Sequence, residues 1–194
     1  MSNEENIVGR RKLFQVAAGA ALAKLALGAA TVGAAPKART PGKPGDFDFL
    51  TGSWTIKNRQ LKNRKTDEWD VFNGESTCWS ILGGVASIEE LRIPERHFSG
   101  MGLRVLDMEK KVWADYWMNS KSGVLGAAGV PGSFENGAGI FESEETEGDK
   151  TTTFRGVWDR ITKNSCRWHQ ASSADGGKTW ETSWSMDWTR AKSK

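Results

Sequence analysis

The chain has 194 residues and a formal net charge of +3, so it is long enough for one domain with an appendage. Four of its basic and two of its acidic side chains fall in residues 1–34, so the rest of the chain is close to neutral. A nearly neutral domain without basic clusters argues against nucleic-acid binding. Ten tryptophans against one tyrosine, together with 22 glycines, favour short strands joined by tight turns.

Residues 1–34 have the composition of a targeting segment. Arg10 and Arg11 precede a modestly apolar stretch rich in alanine and glycine, which resembles a bacterial twin-arginine export signal. Gly9 stands where serine or threonine is usual, and Lys24 interrupts the apolar run and argues against a membrane-spanning helix. We therefore expect a periplasmic or secreted protein with no stable membrane anchor after signal cleavage. The alternative is an N-terminal helix in a cytoplasmic protein.

Residues 35–45 are rich in proline and basic side chains, which predicts an extended linker. The domain then covers residues 46–190 and is followed by a short tail at 191–194. Runs of strand-forming residues alternate with turn signals throughout the domain. The predicted strands cover residues 54–61, 68–71, 75–82, 85–93, 100–107, 111–119, 138–143, 151–159, 165–172 and 179–190.

The connections between these ten strands are short, which predicts an all-β, up-and-down antiparallel arrangement. A sheet of this length tends to curl, and closing it removes its exposed edges, so a single barrel is favoured over an open sheet. The glycine-rich, partly apolar segment 121–137 is predicted to be an irregular loop. It is either a lid folded over the mouth of the barrel or a long strand connection.

Several motifs resemble, in order, a bacterial lipocalin-like (calycin) family whose domain is of unknown function. The resemblance spans essentially all of residues 46–190. The motifs that carry it are FDFLxGxW at 47–54, Gly83-Gly84, LRVLD at 103–107, FRGVW at 154–158, RWHQAS at 167–172, SxDGGxTWE at 173–181 and WxMDWTR at 184–190.

The resemblance implies a lipocalin-like antiparallel barrel and brings no established substrate. It also implies that Trp54 packs across the closed end of the barrel, with Arg190 over its indole. The chain departs from the family pattern at Asn58, where family members often carry histidine, and at Ser87–Glu90, where they tend to show Asn-x-Asp/Glu.

The hairpin at Ser173–Trp180 also matches the Asp-box turn of sialidases. A propeller needs several copies of that turn, and the chain has one, so a sialidase is not indicated. The turn chemistry itself predicts that Asp175 ties the hairpin together and that Trp180 anchors it. Cys78 and Cys166 are either one disulfide or two small buried side chains, and their spacing matches no redox or zinc motif.

The tryptophans at alternating strand positions either fill a core or line a cavity. Our main hypothesis is a barrel that binds a small apolar or aromatic molecule, with Glu90 and two arginines as polar partners. A barrel with a solid interior that acts through its surface is a further reading, and a homodimer is left open. The residues predicted to line the ligand site are Trp113, Trp117, Trp158, Trp168, Trp184, Arg104 and Arg155.

The alternative hypothesis is an isomerase, cyclase or hydratase that uses an acid/base pair in the barrel cavity, without a cofactor. Its candidate catalytic residues are Glu90, Tyr116 and His169. An interior salt bridge or a plain surface charge is the structural explanation of the same residue. No metal site is predicted, and haem ligated by His169 is a less favoured reading.

Overall fold

The computed structural model describes residues 40–126 and 128–192. The predicted export signal, residues 35–39 of the linker and the last two residues of the tail lie outside the described residues. Three short 3-10 turns and ten strands follow one another along the chain. They are η1 (Asp48–Leu50), β1 (Gly52–Asn63), β2 (Glu68–Ile81), η2 (Leu82–Gly84), β3 (Ala86–Ile93), η3 (Pro94–Arg96), β4 (Phe98–Asp107), β5 (Val112–Asn119), β6 (Val130–Glu135), β7 (Ala138–Glu147), β8 (Lys150–Asp159), β9 (Ser165–Ser173) and β10 (Glu181–Arg190).

The ten strands form a closed antiparallel barrel in which each strand pairs with the next along the chain. The last strand returns to the first, with Trp54 opposite Arg190 and Gln60 opposite Trp184. Each strand thus has a hydrogen-bonded neighbour on both sides, as predicted for a sheet that closes on itself. The predicted all-β, up-and-down antiparallel barrel is confirmed.

The predicted number of strands is correct because two errors cancel. β2 is one strand, where a break was predicted before Glu75, because Gly74 faces the interior instead of making a turn. A Cβ there would lie 3.1 Å from Nδ2 of Asn58, so the glycine marks close packing. β6 lies in the segment predicted to be a loop, and its Gly132 lies beneath the Phe141 ring, where a Cβ would be only 2.4 Å from Cδ1.

One end of the barrel is closed by the segment that precedes β1. Leu50 is fully buried there, and the Trp54 indole N–H donates to the Leu50 carbonyl oxygen, 2.7 Å away. The Arg190 guanidinium carbon lies 3.8 Å from the Trp54 ring centroid, and its Nη2 donates to the Phe49 carbonyl oxygen. The structure therefore places Trp54 and Arg190 as the family resemblance implies.

At the opposite end, the β9–β10 hairpin is held by Asp175, as predicted. Its carboxylate accepts hydrogen bonds from the Thr179 hydroxyl at 2.6 Å and from the backbone N–H groups of Lys178 and Thr179. The Trp180 indole N–H donates to the Gly177 carbonyl oxygen at 3.0 Å, which anchors the turn. These bonds, led by the one from the Thr179 side chain, lower the pKa of Asp175 to about 2.

Replacing Asp175 with alanine is expected to lower the melting temperature, because the turn loses its hydrogen-bond acceptor. The control is Asp149→Ala in the exposed β7–β8 turn, which should leave the melting temperature unchanged. Since the folded pKa is depressed, the contribution of Asp175 is present above the unfolded value of about 3.9 and is lost as pH falls towards 2. Equal melting temperatures for the two variants at pH 7 would contradict a structural role for Asp175.

Candidate functional site

Three ionisable side chains meet in the barrel interior, beneath the segment that closes one end. Glu89 on β3 and Arg104 on β4 are almost fully buried, and Arg104 lies opposite Asp115 on β5. The Arg104 Nη2 donates to Glu89 Oε2, and its Nε lies 3.6 Å from Asp115 Oδ1. We call Glu89, Arg104 and Asp115 the polar cluster. With both carboxylates ionised, its formal charge is −1.

The guanidinium of Arg104 is enclosed by its neighbours. Gly102 makes room for it, since a Cβ there would lie 2.9 Å from Nη2. The guanidinium carbon lies 5.3 Å from the Phe47 ring centroid and 5.2 Å from that of Trp158. Burial by itself lowers the pKa of Arg104, but Glu89 and Asp115 outweigh burial, so the pKa is raised and the charge is fixed.

Several buried polar atoms around the cluster have no hydrogen-bond partner among the described residues. They include Arg104 Nη1, Glu89 Oε1 and the indole nitrogens of Trp158 and Trp188. The centroids of the Trp158 and Trp188 rings are 5.3 Å apart, and the Arg104 guanidinium carbon lies 5.2 Å from the Trp158 ring centroid, so these side chains are neighbours. An unpaired buried polar group costs about 1–3 kcal/mol. These donors and the Glu89 oxygen can bind the polar group of a small molecule.

All five tryptophans predicted for the ligand site are buried and face the interior. Trp168 and Trp184 meet edge to face at 6.1 Å, and the Trp184 indole N–H donates to Asn58 Oδ1. Trp113 lies nearer the closed end, where its N–H donates to Asp46. The structure thus brings Trp113, Trp117, Trp158, Trp168, Trp184 and Arg104 into one interior, and their binding role stays a prediction.

Two predicted interior residues face outward, so their predicted orientation was wrong. Glu90 is exposed and pairs with Arg92 at 2.7 Å, while its neighbour Glu89 occupies the interior. The parity of β3 was ambiguous because Ile88, on the outer face, is as apolar as the inner residues. Arg155 also points outward and stacks at 3.8 Å on the Trp180 ring.

The other two candidate catalytic residues also lie on the outer wall. Tyr116 is half-buried on β5, where a Cβ at Gly129 would lie 2.7 Å from its ring. His169 lines an outer groove of about 390 Å³ with Arg59 and Arg167, and burial lowers the pKa of His169. Glu90, Tyr116 and His169 face out from three different strands. An interior acid/base pair therefore cannot be built from them.

The strand pairing has a gap on the β5–β7 side. In the described part of the chain β6 pairs with β5 at three positions, ending at Asp115, so the last residues of β5 and β7 are not joined through β6. Phe154 and Ser143 are half-buried there. On the β2 side of the barrel, the Arg96 guanidinium carbon lies 3.3 Å from the Phe72 ring centroid. Gly129, near the end of the connection that follows β5, lies against Tyr116 and Ala114 on the outer wall, and a role of this connection as a lid stays a prediction.

Both cysteines are buried free thiols near the closed end. Burial is the main cause that raises the pKa of Cys78 and that of Cys166 to about 12. Because the thiolate is the reactive form, both thiols should be inert at pH 8. The sequence left open whether Cys78 and Cys166 form one disulfide or are two small buried side chains. The structure shows two buried thiols, and none of the described residues forms a disulfide.

The native protein should therefore resist alkylation by iodoacetamide at pH 8 and incorporate two labels per chain in denaturant, as read by intact mass. The Ser53→Cys variant, whose thiol would be exposed on the outer wall, is the positive control and should gain one label while folded. Rapid labelling of the wild-type native protein would contradict the burial of these thiols.

Within 40–126 and 128–192, no group of three or more His, Cys, Asp or Glu side chains is arranged to hold a metal ion. In the same residues no helix has the length and apolarity needed to cross a bilayer.

Comparison with known proteins adds the following. No family model and no curated protein matches the chain. Among solved structures it is similar to the S-type phycobiliprotein lyase CPES from Guillardia theta, with 12% identity over 76% of this chain and 92% of that chain, at a TM-score of 0.45. A likeness at this level carries no argument about function, which must come from the site itself.

Proposed function

We propose that the barrel binds a small, largely apolar or aromatic molecule in its interior, with the polar group of that molecule held by the polar cluster. The observation that supports this proposal is the set of unpartnered polar atoms beside Arg104, buried among tryptophans. Aromatic walls with a few convergent polar groups are typical of small-molecule sites.

The charges of the cluster define the class of ligand. Arg104 is already balanced by Glu89 and Asp115, so an anionic ligand would add a third negative charge in a buried site. A carbonyl oxygen can accept from Arg104 Nη1 or from an indole N–H, and a hydroxyl or amide N–H can donate to Glu89 Oε1. The favoured ligand is therefore neutral, with a carbonyl, amide or phenol group.

A purely structural role explains the cluster less well. Buried ion pairs contribute little net stability compared with apolar side chains of similar volume. A cluster that served only to fix the register would be expected to satisfy its own polar atoms. Arg104 Nη1 and Glu89 Oε1 remain unpaired within the described residues, which supports a binding role.

We also propose that the domain is exported through the segment that carries Arg10 and Arg11, and that it acts in the periplasm. The support is the paired arginines before an apolar, glycine- and alanine-rich stretch. Cell fractionation of the full chain and of the Arg10→Lys/Arg11→Lys variant tests this. Equal periplasmic amounts of both would contradict twin-arginine export.

The binding proposal is tested with two neutral probes, 2-naphthamide and naphthalene, which differ in the polar group. Isothermal titration should show saturable binding of 2-naphthamide, at least about tenfold tighter than binding of naphthalene, as one or two hydrogen bonds supply. The Glu89→Gln variant should lose most of this preference, while Glu90→Gln on the outer wall should retain it. The absence of saturable binding by both probes, or equal losses in the two variants, would contradict the interior site.

A further inference from the structure

A groove on the outer wall brings together basic side chains from three parts of the chain. It lies over β1, β10 and β9 and has a volume of about 390 Å³. Strand register places Arg59, Ser185 and His169 side by side in one outward row, and the short Ser185 side chain between the two larger ones leaves room for a ligand. The residues that line this outer groove are Arg59, Trp69, Arg160, Arg167, His169, Thr182, Ser185 and Asp187.

Two arginines of the outer groove have no carboxylate partner. Elsewhere on the surface, Arg64 and Arg92 each pair with a glutamate, at 2.8 and 2.7 Å. Among the described residues, neither Arg59 nor Arg160 forms a salt bridge. Their charges are therefore available to a ligand.

The other contacts of Arg59 and Arg167 hold these side chains in place and leave donors free. The Arg59 guanidinium carbon lies 4.3 Å from the Trp69 ring centroid, and this cation–π contact uses none of the N–H donors. Arg167 donates to Asp159 from Nε and Nη2, at 2.8 and 2.6 Å, so its Nη1 can bond to another acceptor. Arginines held in this way lose less entropy when they bind a ligand than free side chains do.

The outer groove has a local excess of positive charge. Its three arginines face one lining carboxylate, Asp187, which gives the lining residues a formal charge of +2 with His169 neutral. Asp159, paired with Arg167, reduces this local excess to +1. Because the domain as a whole is close to neutral, the groove is not part of a longer basic track of the kind that a nucleic-acid backbone requires.

We propose that the outer groove binds a small anion, whose carboxylate or phosphate group is held by Arg59, Arg160 and Arg167. Arginine N–H groups bind both kinds of oxyanion through charge-assisted hydrogen bonds. The volume of the groove suits a compact molecule and not a polymer. This site is separate from the interior one, because it lies on the outside of the strands whose Trp168 and Trp184 face inward.

The His169 imidazole lies where it would sense such an anion. The charged groups of the groove and its border are Arg59, Arg155, Asp159, Arg160, Arg167 and Asp187. Burial is the main cause that lowers the pKa of His169, and Asp159 opposes burial while three of these arginines add to it. An anion beside the ring favours its protonated form, so the pKa of His169 should rise when the ligand binds.

The proposal is tested on the full chain by NMR titration of its two histidines with phenyl phosphate and with benzoate, which differ in the oxyanion. At low salt, at least one probe should bind saturably with a dissociation constant below about 1 mM and raise the pKa of His169. His97, exposed at the end of η3, is the internal control, and its resonances should not change with the probe. Equal responses of the two histidines, or no saturable binding of either probe up to about 10 mM, would overturn the proposal.

Two variants locate the anion in the outer groove. Arg59→Gln/Arg160→Gln removes the unpaired cations and should weaken binding at least about tenfold. Its matched control, Arg64→Gln/Arg92→Gln, removes the same charge elsewhere and should stay within about twofold of the wild type. Ser185→Phe fills the groove without a change of charge and should also weaken binding, and circular dichroism identifies any variant that does not fold. Equal losses in the two double variants, or wild-type affinity in Ser185→Phe, would contradict the proposed site.

Discussion

Replacing Arg104 with methionine is expected to lower the free energy of unfolding by about 3–5 kcal/mol, because it leaves Glu89 and Asp115 as buried carboxylates without their cation. Urea denaturation of the purified variant measures the change. The control is Arg92→Met, which removes an arginine that pairs with Glu75 and Glu90 on the outer wall. Partly exposed ion pairs are worth little, so that variant should lose about 1 kcal/mol or less.

A second variant of the polar cluster distinguishes its effect on stability from its effect on ligand binding. The triple variant Glu89→Leu/Arg104→Met/Asp115→Leu replaces the polar cluster with apolar side chains and should recover most of the stability lost in Arg104→Met. It should still fail to distinguish 2-naphthamide from naphthalene, because the hydrogen-bonding groups are gone. A loss in Arg104→Met no larger than that in Arg92→Met would show that the cluster is not buried as described.

Replacing Trp54 with alanine is expected to cost about 3–5 kcal/mol of unfolding free energy, the range for deleting a fully buried aromatic side chain. Trp54 is 1% exposed, packs against Trp188 at 5.9 Å and supports Arg190. Trp54→Phe keeps much of the packing but loses the indole N–H bond to the Leu50 carbonyl oxygen. It should therefore lower the free energy of unfolding by about 1–2 kcal/mol.

The control for this position is Trp180→Ala. Trp180 is half-buried in the β9–β10 hairpin and contributes a stacking contact with Arg155, so its loss should cost about 1–2 kcal/mol. Urea denaturation of the three variants gives the comparison. Equal losses of unfolding free energy in Trp54→Ala and Trp180→Ala would contradict the role of Trp54 in packing the closed end.

The barrel could be predicted from the sequence because the alternation of apolar and polar residues can be seen within each single strand. In β10, Trp184, Met186 and Trp188 share one parity and polar residues share the other, and the structure buries the former set. Glycines were harder to interpret, because Gly74 and Gly132 are needed for close packing and not for turns, which requires knowing the neighbouring strands.

The residues of the site could be predicted only in part, because both faces of β3 and β4 carry apolar side chains. The outer wall over these strands carries Ile88 and Leu103, so alternation alone could not decide between Glu89 and Glu90. Asp115 could have been found, since it shares the parity of Trp113 and Trp117, which were correctly predicted to face inward. Its pairing with Arg104 follows from the β4–β5 register, which a single sequence does not reveal.

The most direct measurement is a crystal structure of the protein with 2-naphthamide. The account predicts the naphthyl ring among the interior tryptophans, with the amide oxygen about 3 Å from Arg104 Nη1 or from the indole nitrogen of Trp158. The amide N–H should point at Glu89. A probe bound on the outer wall, with only water beside Arg104, would contradict the proposed interior binding site.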